Sequence, residues 1–293
     1  MLEDRDVRLG DGRVVSTRIA GPPDAPALMY FPGTPDSRLT VDVCAGLPVS
    51  TPVRIVAFDR PGYGGSDFVP FSLESVARDC AHIMDAWDIE RFAVLSQSGG
   101  GPFALASAAH LPDRVSGVGI ASGPGSFTAV PGAVSELVET DQAALAMIGV
   151  DDAEAARLFA VGFDDLAALL QGDDGALLDG LRQMLPTDAA VIDRPEIGGP
   201  LAVALREGVR QGVLGAAWDN VAWVGPWRLD LAAVSQPTWL WYGEDDPLVP
   251  RGHGEWLSGQ IPQAELVVRR GEGHLGLFTH WDECVAALAQ TVP

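Results

Sequence analysis

Short, mostly apolar segments alternate with longer amphipathic segments through most of this chain. Residues 27–31 form one apolar run that ends at Pro32-Gly33, which is typical of a strand buried on both faces. Residues 72–88 carry apolar side chains at helical spacing, as expected of a helix that packs on a sheet. This alternation predicts a doubly wound α/β fold around a mostly parallel sheet. Further strands are predicted at 53–58, 92–95, 115–121, 237–242 and 265–268, and further helices near 37–47, 101–110, 252–259 and 276–290.

Two regions depart from this alternation. The first 20 residues alternate around Gly10-Asp11-Gly12, which predicts a hairpin at an antiparallel edge of the sheet. Residues 128–226 have helical stretches broken by Gly and Pro and no strand signal, which predicts an inserted helical cap. The chain should therefore divide into core segments 1–127 and 227–293 around a cap at 128–226.

Composition limits the partners that this chain can have. It has 293 residues, with 19 basic against 40 acidic side chains and a formal charge of -21. Such a surface repels phosphate backbones and anionic membranes, so we expect no nucleic acid and no membrane partner. The sequence shows no apolar start segment and no apolar run of about 18 residues. We predict a cytoplasmic protein whose partner is a small-molecule substrate, and the sequence leaves open whether it forms a homo-oligomer.

The three cysteines give no sign of a disulfide or a metal site. Cys44, Cys80 and Cys284 are odd in number and widely spaced, without a CxxC pair. We expect them to be reduced, buried thiols.

A serine stands at a sharp turn between a predicted strand and a predicted helix. Strand 92–95 runs into Ser96-Gln97-Ser98-Gly99-Gly100, and a helix rich in Ala and Leu follows at once. Such a turn strains the backbone of the central serine and needs small residues two positions before and after it. It would expose Ser98 Oγ above the sheet and direct the Gly99 amide toward developing negative charge. By itself the pattern is weak, because glycine-rich turns before helices also serve structure or bind phosphate.

Acidic residues and a histidine follow later strands of the same sheet. Glu244, Asp245 and Asp246 come after strand 237–242, and His274 comes after the last strand. The chain order of serine, acid and histidine is the order of a nucleophile–acid–base triad on this class of fold. The remaining histidines lie on or beside predicted helices, where structural histidines are common: His82, His110, His253 and His280.

Taken together, these motifs resemble those of the α/β-hydrolase superfamily. That resemblance places the acid at Asp246, within Gly243-Glu244-Asp245-Asp246-Pro247-Leu248-Val249-Pro250, and the base at His274, within a Gly-His pair. It implies a Ser98–Asp246–His274 triad in a cofactor-free serine hydrolase, with no metal and no organic cofactor.

The segment after the first parallel strand resembles an oxyanion loop. Residues 31–38 are similar to the His-Gly-Thr-Pro-Gly-Ser-Arg loops of one hydrolase subgroup, except that Pro32 replaces histidine and Asp36 replaces glycine. The implied donors are the backbone amides of Thr34 and Gly99. Loss of the imidazole removes one supporting hydrogen bond from this loop.

Residues 59–66 match the Asp-Arg-Pro-Gly-Tyr-Gly-x-Ser turn of the same superfamily. We interpret this turn as architecture that stabilises loops below the site. The matched motifs span about residues 30–275, so they cover the core but not the cap.

The implied reaction is hydrolysis of an ester or lactone of a small, apolar substrate through an acyl-enzyme. Amide, C–C bond and perhydrolase chemistry need the same residues. An aminopeptidase similar to proline iminopeptidases would use cap acids, but those enzymes usually carry Trp where this chain has Gly99. An aspartate nucleophile, as in epoxide hydrolases and dehalogenases, is excluded by Ser98. Four acids are candidates to hold a substrate amine: Glu136, Glu139, Glu154 and Glu207.

Two further hypotheses assign a different role to the same fold. The altered loop at Pro32 motivates a cyclase or lyase in small-molecule biosynthesis, in which no water enters the site. A non-catalytic binding protein is the other alternative, although binding alone does not explain an intact triad.

The cap should form the substrate pocket. Its apolar residues include Phe159, Trp218 and Trp223, which we predict to contact substrate.

Overall fold

A computed structural model describes residues 2–293 and contains one eight-stranded sheet. Every predicted strand is present, with only small shifts at its ends. The strands are β1 (Leu2–Arg8), β2 (Val14–Ala20), β3 (Ala27–Phe31), β4 (Arg54–Phe58), β5 (Phe92–Gln97), β6 (Val115–Ala121), β7 (Thr238–Gly243) and β8 (Ala264–Arg269).

The strands lie in the order β1-β2-β4-β3-β5-β6-β7-β8. β1 and β2 form the predicted hairpin at one edge, and β2 pairs with β4 in the antiparallel direction. All other neighbours pair in parallel. The predicted doubly wound, mostly parallel sheet is therefore confirmed, and the loops after β3 to β8 emerge along one edge of it.

Helices surround this sheet and fill the interval between β6 and β7. No helix within residues 2–293 is long and apolar enough to cross a membrane. In chain order the α-helices are α1 (Thr40–Gly46), α2 (Leu73–Ala86), α3 (Gly101–His110), α4 (Ala133–Glu136), α5 (Glu139–Met147), α6 (Asp152–Val161), α7 (Asp164–Leu170), α8 (Asp174–Met184), α9 (Ala189–Ile192), α10 (Gly198–Gly208), α11 (Leu214–Trp223), α12 (Gly252–Gln260), α13 (Gly276–Thr279) and α14 (Trp281–Ala289).

The central strands are mostly apolar because helices cover both of their faces. Met29 and Phe31 of β3 belong to one buried cluster, together with residues of α2 and α3. Leu28 and Tyr30 of the same strand belong to a second cluster, together with residues of α1 and α14. Alternate side chains of a strand point to opposite faces, so β3 supplies both cores and cannot alternate apolar with polar residues.

The segment between β6 and β7 is the helical insertion expected from the sequence. Residues 128–226 are all described, and they form helices α4 to α11 with turns and no strand. Phe159 and Ala217 join the cluster that contains α2 and α3, whereas Leu177 and Leu201 join the opposite cluster. The cap thus packs against both halves of the core. Its boundaries at 128 and 226 stay a prediction.

Two helices differ from the sequence-based expectation. The helix predicted at 37–47 begins only at Thr40, because Asp36 Oδ1 accepts hydrogen bonds from the Ser37 amide and the Thr40 hydroxyl. The Asp36 side chain thus holds the residues just before α1 in a turn. The closing helix, predicted as one element, is divided into α13 and α14 at His280, whose imidazole bonds Glu272 at 2.7 Å.

The three cysteines are free and buried, as the sequence predicts. Burial raises the pKa of Cys80 and of Cys284 to about 12, so both stay uncharged thiols at neutral pH. They are packing residues of the two cores.

Helix α2 begins with a reciprocal cap that can be tested. The Ser72 hydroxyl accepts the Ser75 amide at 3.2 Å, and the Ser75 hydroxyl accepts the Ser72 amide at 2.9 Å. We expect Ser72→Ala to lower the free energy of unfolding by about 1 kcal/mol, because one amide of the first turn loses its partner. Ser72→Asp should keep most of the stability, and urea denaturation measures both. Equal stability of Ser72→Ala and the wild-type protein would contradict this account.

Candidate active site

The predicted site residues occupy loops at the carboxyl edge of the sheet. Thr34 follows β3, Ser98 follows β5, Asp246 follows β7 and His274 follows β8. Parallel strands direct all of these connections to one edge, so residues far apart in sequence can meet there.

Ser98 lies at the sharp turn that the sequence predicts. β5 ends at Gln97, a 3₁₀ turn spans Ser98–Gly100, and α3 begins at Gly101. The φ angle of Ser98 is 52°, in the left-handed region that non-glycine residues seldom occupy. Such a conformation costs on the order of 1–3 kcal/mol and persists only where its surroundings impose it, which is common at catalytic residues.

The neighbours of Ser98 are small for visible steric reasons. A Cβ atom at position 100 would lie 2.2 Å from the Phe31 carbonyl oxygen, so only glycine fits there. Ser96 is buried between strands, and its hydroxyl donates to the Gly119 carbonyl oxygen at 3.2 Å. The close approach of β3 and β6 to the turn therefore explains the pattern of small residues.

Asp246 and His274 meet as an acid–imidazole pair. His274 Nδ1 lies 2.8 Å from Asp246 Oδ2, and both residues are buried. Asp246 Oδ1 also accepts the amides of Leu248 and Val249 at 2.9 and 3.0 Å. Burial raises the pKa of Asp246, but the His274 contact and the two amides outweigh it and hold that pKa below its usual value. An ionised Asp246 keeps the proton of His274 on Nδ1 and leaves Nε2 as the basic nitrogen.

The segment after β3 lies directly against the serine turn. A Cβ atom at Gly33 would lie 3.5 Å from the Ser98 Cβ, and one at Gly99 would lie 3.4 Å from the Thr34 nitrogen. The structure thus brings the Thr34 backbone beside Ser98 and Gly99, where the resemblance puts an oxyanion hole. Their roles as donors stay a prediction.

Arg60 holds this segment in place, which agrees with the interpretation of the 59–66 turn as architecture that stabilises loops below the site, although the sequence did not single out this residue. The Arg60 guanidinium donates to the carbonyl oxygens of Pro32 at 2.8 Å and Gly33 at 2.7 Å. It also lies over the rings of Tyr63 and Phe103, each at 4.9 Å from the ring centroid. The turn at 59–66 therefore supports the segment that follows β3, in addition to its own packing.

Asp219 of cap helix α11 completes this arrangement. Its carboxylate is fully buried and receives Arg60 Nη2 at 2.6 Å and Arg60 Nε at 3.0 Å. The same carboxylate accepts the Thr34 hydroxyl at 2.6 Å and the Tyr63 hydroxyl. Asp219 thus joins the cap to the segment beside Ser98. The only sequence signal for it was a lone acid within an otherwise apolar helical stretch, which is compatible with a surface position.

The two departures from the family loop have different structural contexts. Pro32 contributes its carbonyl oxygen to Arg60, so the loop keeps a fixed backbone without an imidazole at that position. Asp36 is buried, and burial raises its pKa to about 7 against the opposing effect of its Thr40 and Ser37 donors. Its hydrogen bonds with the Ser37 amide and the Thr40 hydroxyl lie at the start of α1.

The three cap residues predicted to contact substrate have unequal surroundings. Phe159 is 1% exposed and packs in the same cluster as α11. Trp218 is buried and donates its indole N–H to the Phe71 carbonyl oxygen at 2.9 Å. Trp223 is half-buried beside Phe127, and within residues 2–293 its indole nitrogen has no hydrogen-bond partner. All three stay predictions as substrate contacts, but Phe159 and Trp218 are visibly engaged in packing.

Comparison with known proteins identifies relatives over most of the chain. A family model described as alpha/beta hydrolase fold matches residues 26–280. The chain is 26% identical over 234 residues to a poly(3-hydroxyalkanoate) depolymerase of Ectopseudomonas oleovorans, covering 78% of this chain and 70% of that protein. It is 27% identical over 249 residues to a 2-hydroxy-6-oxo-6-phenylhexa-2,4-dienoate hydrolase of Burkholderia cepacia, covering 80% and 75%.

Solved structures share the same fold. The enol-lactonase of Burkholderia xenovorans LB400 superposes with a TM-score of 0.66 at 18% identity, covering 98% of this chain and 99% of that one. At this level of identity the likeness concerns the fold alone.

Asp219 provides a test of the link between cap and core. We expect Asp219→Asn to lower the free energy of unfolding by about 3–5 kcal/mol, because the buried Arg60 guanidinium loses its counter-charge. Asp179→Asn is the control, since Asp179 makes an exposed ion pair with Arg182 on cap helix α8, and its loss should be much smaller. Urea denaturation followed by tryptophan fluorescence measures both. Equal losses in the two variants would contradict a central role for Asp219.

Proposed function

Since the chain belongs to the α/β-hydrolase fold family, we propose that it is a serine hydrolase that cleaves an ester or a lactone through an acyl-enzyme. The observation that carries this proposal is the hydrogen bond between His274 Nδ1 and Asp246 at 2.8 Å, at the same sheet edge as the strained Ser98 turn. A binding protein would have no need for an oriented imidazole beside a strained serine.

In the proposed reaction His274 is the general base. Its Nε2 accepts the Ser98 proton while Ser98 Oγ attacks the acyl carbon and forms a tetrahedral intermediate. Asp246 stabilises the resulting imidazolium, because its carboxylate faces Nδ1 from a buried position. The protonated His274 then donates to the leaving alkoxide, and the C–O bond breaks. Water, activated by the same nitrogen, attacks the acyl-enzyme and releases the acid.

The backbone amides of Thr34 and Gly99 are the proposed donors to the oxyanion. Three observations support them: the close contact between these residues, the hold of Arg60 on the Pro32 and Gly33 carbonyls, and the bond from the Thr34 hydroxyl to Asp219. A donor fixed before the reaction stabilises developing charge without the cost of reorganisation. Proline at position 32 is compatible with this role because the donors are main-chain groups.

The names of the relatives support an activated acyl carbon as the group that reacts in the substrate. By its name the Ectopseudomonas relative depolymerises a poly(3-hydroxyalkanoate). Cleavage of a C–C bond is the second candidate, because the Burkholderia cepacia relative is named as a dienoate hydrolase. In both reactions the same serine and histidine would act on a carbonyl carbon.

Trp223 is the proposed cap contact for the substrate. Its indole nitrogen is buried and has no hydrogen-bond partner among the described residues, so its N–H would donate to a carbonyl or hydroxyl oxygen of a ligand that reaches it. Phe127, which packs against Trp223 at a centroid distance of 5.9 Å, would supply apolar surface beside it.

The first test is covalent labelling by a fluorophosphonate probe, followed by intact mass and identification of the modified peptide. We expect one label per chain at Ser98, and no label in Ser98→Ala or His274→Ala, because the probe needs an activated serine. Ser258→Ala is the control, since Ser258 is a partly exposed residue of α12 whose hydroxyl donates to the Glu255 carbonyl oxygen of the same helix. Its labelling should equal that of the wild-type protein.

The second step separates the two candidate reactions. Ester and lactone series of increasing acyl length are assayed beside a 2-hydroxy-6-oxo-dienoate, and Ser98→Ala should lose at least about a thousandfold in kcat on the true substrate. Turnover of the dienoate alone would favour C–C cleavage. A folded wild-type protein that takes no label would refute the serine hydrolase.

A further inference from the structure

A second cap carboxylate, Asp188, contacts the main chain of the candidate base. Asp188 lies in a 3₁₀ turn, Pro186–Asp188, between α8 and α9. Its Oδ2 accepts the His274 amide at 2.8 Å, and its Oδ1 accepts the Leu275 amide at 3.0 Å. One carboxylate thus receives two successive amides of the catalytic loop, and hydrogen bonds of this charged type are stronger than neutral ones.

The contact is close enough to dictate the residue before the histidine. A Cβ atom at Gly273 would lie 2.3 Å from Asp188 Oδ2, so any larger residue would displace the carboxylate. Asp188 is 2% exposed, and the flanking Leu185 and Leu275 belong to one buried cluster. The glycine of the Gly-His pair is therefore explained by the approach of a cap side chain.

His274 is held by three polar groups, and the cap supplies one of them. The Gln97 amide donates to the His274 carbonyl oxygen at 2.7 Å, and Asp246 receives Nδ1, so the core orients the carbonyl and the ring. Only Asp188 receives the peptide N–H of His274. Without it, two buried amides would lack partners, and the peptide plane would be free to tilt.

Asp188 also interacts electrostatically with the candidate base. Burial raises the pKa of Asp188 above its usual value, although the two amides and a charged His274 act in the opposite direction. The interaction with the imidazole is therefore favourable when His274 carries the proton, as it does during the proposed reaction. The nearby Asp246 carboxylate raises the pKa of Asp188, because two like charges repel each other.

We propose that Asp188 is a positioning residue that makes the catalytic base depend on the docked cap. This proposal rests on the proposed serine hydrolase activity. Asp188 acts through the His274 backbone and touches no reacting atom. Loss of the Asp188 carboxylate would move His274 Nε2 relative to Ser98. A displacement of about 1 Å in a catalytic group can lower the rate about a hundredfold.

The experiment compares Asp188→Asn with Asp193→Asn. The asparagine side chain has almost the same shape as aspartate but turns an NH₂ group toward one of the two amides. Asp193 lies in the same cap segment and makes an exposed ion pair with Arg182, so it is a matched control. A fluorophosphonate probe titrates the active sites of each protein, and the labelling rate constant, kcat and KM are then expressed per active site.

We expect the labelling rate constant and kcat of Asp188→Asn to fall about 10–100-fold per active site with KM nearly unchanged, and those of Asp193→Asn to match the wild type. Gly273→Ala approaches the same contact from the other side and should show the same pattern. A purely structural role would lower the melting temperature or the fraction of active molecules and leave the rate constants per active site intact. That result would overturn the proposal.

The labelling experiment also distinguishes an error about the serine hydrolase from an error about Asp188. If the folded wild-type protein takes no label at Ser98, the serine hydrolase itself is refuted, and the role of Asp188 falls with it. If the wild type is labelled and Asp188→Asn is labelled at the same rate, only the role of Asp188 is refuted.

Discussion

Parallel pairing of the strands from β4 to β8 is the constraint on which the rest of the molecule depends. Each parallel strand must be reached by a crossover, so helices cover both faces and every carboxyl end emerges at the same edge. For this reason Ser98, Asp246 and His274 all lie on loops at one edge of the sheet, although up to 176 positions of chain separate them. The sheet explains the meeting of these loops, but it does not hold them in their final geometry.

Buried carboxylates perform that second task. Asp246 orients the ring of His274 from the core, while Asp219 and Asp188 reach the oxyanion segment and the His274 loop from the cap. Each of them is surrounded by donors, because a buried charge without partners would destabilise the fold. The cap is thus joined to the two sides of the candidate site by hydrogen-bonded carboxyl groups and not by apolar packing alone.

The sequence predicted the core well because its signals are local. Apolar runs such as 27–31 report burial of both strand faces, and the small residues around Ser98 report a tight turn. The division of the closing helix at His280 was missed, since the bond from its imidazole to Glu272 joins two separate segments. Asp188 and Asp219 were missed for a similar reason: an acid in a helical region is usually on the surface, and nothing nearby in sequence reveals its partners.

The amino-acid sequence by itself determined the doubly wound sheet, the helical insertion and the candidate residues for a nucleophile, an acid and a base. Hydrophobic periodicity and turn chemistry act over a few residues, so they can be read without knowing the fold. Only the tertiary structure decided which guanidinium holds the segment beside Ser98, and which cap carboxylates reach that segment and the His274 loop. Those contacts join positions up to 185 residues apart, such as Thr34 and Asp219, and depend on burial that exists only after the chain has folded.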